Sequence, residues 1–99
     1  MALLVAAVAF GSDAPEFTIS LKDHRFSPAE LQVPAGQRVK LIVRNLDAPA
    51  AEFESYELVR EKVVKGHAEI VVYIGPLTAR SYHYYDDFDH DATGVITAK

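Results

Sequence analysis

Short runs of alternating apolar and polar residues recur through this chain at about ten-residue intervals, and Pro, Gly, Asp or Asn follows all but the last. Phe17, Ile19 and Leu21 stand on one side of residues 16–21, with Thr18, Ser20 and Lys22 on the other. Residues 30–33 alternate again before Pro34-Ala35-Gly36, and Val39, Leu41 and Val43 mark a third run that ends at Asn45. Residues 69–74 (EIVVYI) carry little polar relief and read as a central strand, while 82–85 and 95–98 supply the last two runs. A period of two sends successive side chains to opposite faces, so each run is a strand with one side to hide. Strands this short hide that side by stacking two sheets. The pattern therefore predicts an all-β chain, a Greek-key β-sandwich of about six to eight strands.

Two stretches resist this reading. Residues 23–25 break the first strand, and residues 51–65 suit neither period cleanly. Phe53, Tyr56 and Leu58 could share one side of a helical turn, whereas Val63-Val64 looks extended. An irregular excursion with one helical turn is expected there. With 99 residues the chain holds one domain, taken as residues 10–99. Residues 1–9 (MALLVAAVA) are uncharged and end in a small-x-small pattern, which reads as a signal-peptide remnant or an apolar tail. At about 1.5 Å of rise per residue this run is too short to cross a bilayer core of roughly 30 Å.

Charge narrows the function. A net charge of −4 argues against nucleic acid and against insertion into or binding on an anionic membrane. There is no cysteine, and the single methionine is Met1, so thiolate and thioether chemistry are closed to the folded domain. Eight of the 14 acidic residues fall in two short segments, Glu52, Glu54, Glu57 and Glu61 in one and Asp86, Asp87, Asp89 and Asp91 in the other. The second lies within YHYYDDFDHDATG (residues 82–94), an aromatic strand that is expected to break into a loop at Asp86. Close carboxylates repel by roughly 1–4 kcal/mol per pair, according to the local dielectric. Either a cation sits among them, with His90 as a nitrogen donor, or water solvates them. His83 reads as an exposed cross-strand residue, and His24 and His67 as turn residues. No phosphate loop, nucleophile elbow or HExxH motif occurs.

Several segments together resemble the cupredoxin fold: Phe26-Ser27-Pro28, Leu31-Gln32-Val33-Pro34-Ala35-Gly36, the strand ending at Asn45, Tyr82-x-Tyr84, and Gly94-Val95-Ile96. The resemblance spans residues 17–99. In that family a histidine shortly after the asparagine is the first copper ligand. A cysteine, a second histidine and usually a methionine follow on the loop joining the last two strands. Laid onto this chain, Asp86 stands where the cysteine would, and His90 follows four residues later. No methionine follows, and Glu52 and Glu54 lie near the place of the first histidine. The resemblance thus excludes a type 1 blue copper site and implies oxygen and nitrogen donors, suited to iron, manganese, zinc or Cu(II).

Glu52-Phe53-Glu54-Ser55, Glu57-Leu58, Arg60-Glu61-Lys62-Val63-Val64 and Ile74-Gly75-Pro76-Leu77 further resemble small periplasmic cupredoxin-like proteins of bacterial iron-uptake systems. Asp87-Phe88-Asp89-His90 departs from the Asp-Phe-His order of that subgroup. The resemblance implies a periplasmic protein of iron or copper-linked iron transport that works with an inner-membrane transport component. Its metal ligands would be Glu52, Glu54, Asp86, Asp87 and His90. The ion would be divalent, with iron or copper first and zinc or manganese also compatible. A bound ion leaves room for at most ferrous-iron oxidation as an activity. A reading from another class is a sandwich with no metal, whose acidic end docks on a basic partner in a membrane transport complex.

Overall fold

The computed structural model describes residues 14–99; the proposed leader at 1–9 lies outside them. Nine strands follow in order: β1 (Glu16–Lys22), β2 (Arg25–Ser27), β3 (Glu30–Val33), β4 (Val39–Asn45), β5 (Ala51–Ser55), β6 (Arg60–Val64), β7 (Glu69–Ile74), β8 (Ser81–Asp86) and β9 (Asp89–Ala98). They form a four-stranded sheet, β2-β1-β4-β7, and a five-stranded sheet, β3-β9-β8-β5-β6. Both sheets are mixed, because β1 runs parallel to β4 and β3 parallel to β9, while the remaining pairs are antiparallel. The all-β sandwich is as expected, with nine strands instead of six to eight.

The additional strands come from the two stretches that resisted reading. Asp23 and His24 take positive φ values of 51° and 63°, reversing the chain into the three-residue β2. Residues 51–64 form a β-hairpin and not an irregular excursion, with Ala51 opposite Val64 and Ser55 opposite Arg60. Ala51, Phe53 and Ser55 are buried while Glu52 and Glu54 face outward. The small size of Ala51 and Ser55 concealed this alternation. Ser55 tolerates burial because its hydroxyl is satisfied twice, donating to His83 O at 2.7 Å and accepting the Leu58 N–H at 3.0 Å.

The core fills the space between the inner faces of the sheets. Tyr84 is its centre, edge-on to Phe26 at 5.0 Å between ring centroids and tilted against Phe53 at 5.1 Å. Its cross-strand partner is Gly94, where any Cβ would run into the Tyr84 hydroxyl. Ile19, Leu41, Val43, Val72, Ile74 and Ile96 complete the packing.

Buried Asn45 organises the end of the sandwich after β4. Its Nδ2 donates to Pro49 O and Val64 O at 2.8 and 3.2 Å, and its Oδ1 accepts the Asp47 N–H at 3.0 Å. The Asp47 carboxylate in turn accepts the N–H groups of Asp23 and His24, fixing the β1–β2 turn. These bonds tie the chain that leads into β5 to the end of β6 and to the β1–β2 turn.

Candidate metal centre

Along β8 the side chains of Tyr82, Tyr84 and Asp86 are buried, while His83 and Tyr85 lie toward the outer side of the five-stranded sheet. The acidic run after Tyr85 is a tight hairpin and not the loop expected from its composition. β8 ends at Asp86, Asp87 and Phe88 make the turn, and β9 begins at Asp89, opposite Asp86. The aspartates close the turn themselves. Asp86 Oδ1 accepts the Phe88 N–H at 2.9 Å, and Asp89 Oδ1 accepts the Asp91 N–H at 3.3 Å. Aspartate does this readily because its short side chain reaches a backbone N–H two residues ahead.

Glu52 and Glu54 project from the outer face of β5, two positions apart. β5 lies beside β8, pairing Phe53 with Asp86 and Glu54 with Tyr85, so the turn residue Asp87 hangs next to Glu52. The Asp87 N–H donates to Glu52 O at 2.9 Å. One carboxylate oxygen from each of Glu52, Glu54 and Asp87 lies within 4.8 Å of the others. Glu61 faces Glu54 across the β5–β6 ladder and adds a fourth acid to this side.

Crowding shows in the acidities. Both glutamates are half-buried. The Glu52 carboxyl is pushed up to about 7, first by loss of solvent, then by its hydrogen bond to Asp87 and by repulsion from Glu61 and Asp87. Glu54 is raised for the same first reason, with Glu61 and Asp87 next, and His90 acts on it in the opposite direction. His90 Nε2 donates to Asp87 Oδ1 at 2.9 Å, and that bond is the main reason its own pKa is raised. The imidazole stands edge-on to Tyr85 at 5.2 Å. The Tyr85 hydroxyl is pushed up to about 12, by loss of solvent and then by Glu54.

The structure thus gathers Glu52, Glu54 and Asp87 and attaches His90 through Asp87. It does not bring Asp86 into that group. Asp86 is 4% exposed and belongs to the inner series of β8, and its Oδ1 accepts the Glu52 N–H at 2.8 Å as well as that of Phe88. Glu61 was missed from sequence because only the hairpin register puts it opposite Glu54. Glu57 has a different role: its carboxylate accepts from the His83 backbone at 2.6 Å, from His83 Nδ1 at 3.1 Å and from Arg80 at 3.4 Å. His24 Nδ1 pairs with Asp89 Oδ2 at 2.9 Å, joining the β1–β2 turn to the β8–β9 hairpin.

A type 1 copper centre does not fit these residues. The place of the thiolate is held by a carboxylate already engaged with two backbone N–H groups, and the chain has no cysteine. A hard divalent cation does fit the outer cluster. Oxygens bound to one ion at about 2.0–2.6 Å lie no more than roughly 5 Å apart. The spacing of 4.8 Å or less among the three carboxylates falls inside that limit.

Comparison with known proteins agrees with the architecture. A family model described as a cupredoxin-like domain matches residues 1–98. An uncharacterized protein of Rickettsia prowazekii is 40% identical over 82 residues, which is 82% of this chain, and the chain spans 66% of that protein's length. Among solved structures, auracyanin A, a blue copper protein of Chloroflexus aurantiacus, superposes with a TM-score of 0.73 at 14% identity, covering 88% of this chain and 100% of its own. Amicyanin of Paracoccus versutus gives 0.67 at 16% identity, covering 96% and 90%. At such identities the likeness to these two is one of fold.

Proposed function

The chain belongs to the cupredoxin-like domain family, and on that premise we propose that it is a metal-binding protein that holds its ion on carboxylates in place of a thiolate. Glu52, Glu54 and Asp87 supply oxygen donors and negative charge, and His90, bonded to Asp87, orients that carboxylate from beside the ligands. The observation that carries this reading is the convergence of three carboxylates within 4.8 Å, with Glu52 pushed up to about 7 by its surroundings. An arrangement that keeps one of its own acids protonated near neutral pH gains most from a cation that replaces the proton.

Oxygen donors with an imidazole beside them suit iron or Cu(II) first, with Zn(II) and Mn(II) also compatible. The ion here is cargo. The resemblance of residues 52–64 and 74–77 to small proteins of bacterial iron uptake supports a place in iron or copper-linked iron transport. The apolar, small-x-small run at residues 1–9 supports export to the periplasm. There the protein would pass its ion to an inner-membrane transport component.

Calorimetric titration with Fe(II) under anaerobic conditions, and with Mn(II), Zn(II) and Cu(II), tests the binding. Saturable binding of one ion is expected for at least one metal, with a matching rise in melting temperature, because a ligand selective for the folded state must stabilise it. Glu54→Ala and His90→Ala are each expected to weaken it by about tenfold or more. No saturable binding with any of the four ions would refute the proposal and favour the acidic face as a docking surface for a basic partner.

A further inference from the structure

We infer that Asp86 is a positioning residue for the carboxylate site and not one of its ligands. This rests on the reading of Glu52, Glu54 and Asp87 as ligands given above.

The backbone of Glu52 is gripped from both sides by the end of β8. Its N–H donates to Asp86 Oδ1 at 2.8 Å, and its carbonyl accepts the Asp87 N–H at 2.9 Å. The ladder between β5 and β8 comprises just the pairs Phe53–Asp86 and Glu54–Tyr85, and on its other side β8 shifts register against β9 between Tyr85 and Asp86. Where the ladder stops, the Asp86 side chain provides the acceptor that the backbone no longer does. The same oxygen takes the Phe88 N–H at 2.9 Å and so sets the turn that carries Asp87. One carboxylate oxygen therefore fixes two ligands relative to each other, Glu52 directly and Asp87 through its turn.

Alternation explains the division of labour. Asp86 continues the buried series of Tyr82 and Tyr84, whereas Glu52 and Glu54 occupy the outward positions of β5. Asp86 works as an acceptor of two N–H bonds, and an amide oxygen can make the same two bonds without the charge. A ligand role, by contrast, depends on the charge. Support of this kind behind metal ligands is commonly worth about 10- to 100-fold in affinity.

The test compares Asp86→Asn, Asp86→Ala and Glu54→Gln in Mn(II) or Fe(II) affinity and in amide hydrogen exchange of the metal-free protein followed by NMR. Asp86→Asn is expected to stay within about threefold of wild-type affinity and to keep the Glu52 and Phe88 amides protected. Asp86→Ala is expected to lose about tenfold or more in affinity and to expose both amides. Glu54→Gln should weaken binding with both amides unchanged. Ile96→Val, which thins the core at the far end of β9 from the Asp87–Phe88 turn, controls for general destabilisation and should leave the affinity alone.

If Asp86→Asn weakens binding as much as Glu54→Gln does, Asp86 is a ligand and the inference fails. It also fails if Asp86→Ala leaves the two amides protected or, should that variant not fold, if Asp86→Asn exposes them. A wild-type protein that takes up no metal overturns the proposed function instead, and the exchange arm still decides whether Asp86 holds Glu52 and the turn.

Discussion

Glu52 is the residue on which the electrostatics of this protein turn. In the unfolded chain its carboxyl ionises near 4.5, and in the fold near 7. Between those values the folded state binds the extra proton, so stability from this side chain is present below about 4.5 and is lost as pH rises through about 7. His90 acts in the same direction. Its raised pKa makes the bond to Asp87 fully stabilising below its ordinary value of 6.5, an advantage lost as pH rises through the folded value. Glu52→Gln mimics the protonated acid at every pH. In the presence of a chelator it should melt with wild type at pH 5 and above wild type at pH 8. Equal melting temperatures at both pH values would mean that Glu52 ionises in the fold as it does in water.

Among the elements, the hairpin of β5 and β6 makes the site and was the least legible in the sequence. Its tip is tied to β8 through buried Ser55, whose hydroxyl bonds both His83 O and the Leu58 N–H. Ser55→Ala leaves both groups short of a partner and should cost about 1–3 kcal/mol by urea denaturation, whereas a loss below about 0.5 kcal/mol would mean the tie contributes little. The strands at 17–21, 30–33, 39–45 and 69–74 were readable because large apolar residues occupy their inner positions, but 69–74, expected to be central, is the edge strand of the four-stranded sheet with Val71 and Tyr73 exposed. In β5 two of the three inner positions hold Ala51 and Ser55, which carry little hydrophobic signal on either side of Phe53, so the outward glutamates were visible as composition but not as a face. The start of β9 was hidden similarly. Asp89, His90 and Asp91 look like a loop, and they extend the strand only because the aspartates cap their own turn.

At the scale of the molecule, the cupredoxin-like sandwich was legible from the order of its turns and strands, while the sides on which the acids lie were not. Asp86 and Asp87 are neighbours in sequence. One faces the buried side at the end of β8, and the other, past the register shift, joins Glu52 and Glu54 on the outer side of the five-stranded sheet. Spacing alone could not separate them. The central claim is that an ion binds on that outer side, and paramagnetic broadening by substoichiometric Mn(II) in the NMR spectrum tests it most directly. The account predicts that the amides of residues 52–54 and 87–90 broaden first, that a chelator restores them, and that Glu54→Gln diminishes the effect. Broadening centred on His24 and Asp47, or spread evenly over the acidic surface, would contradict it.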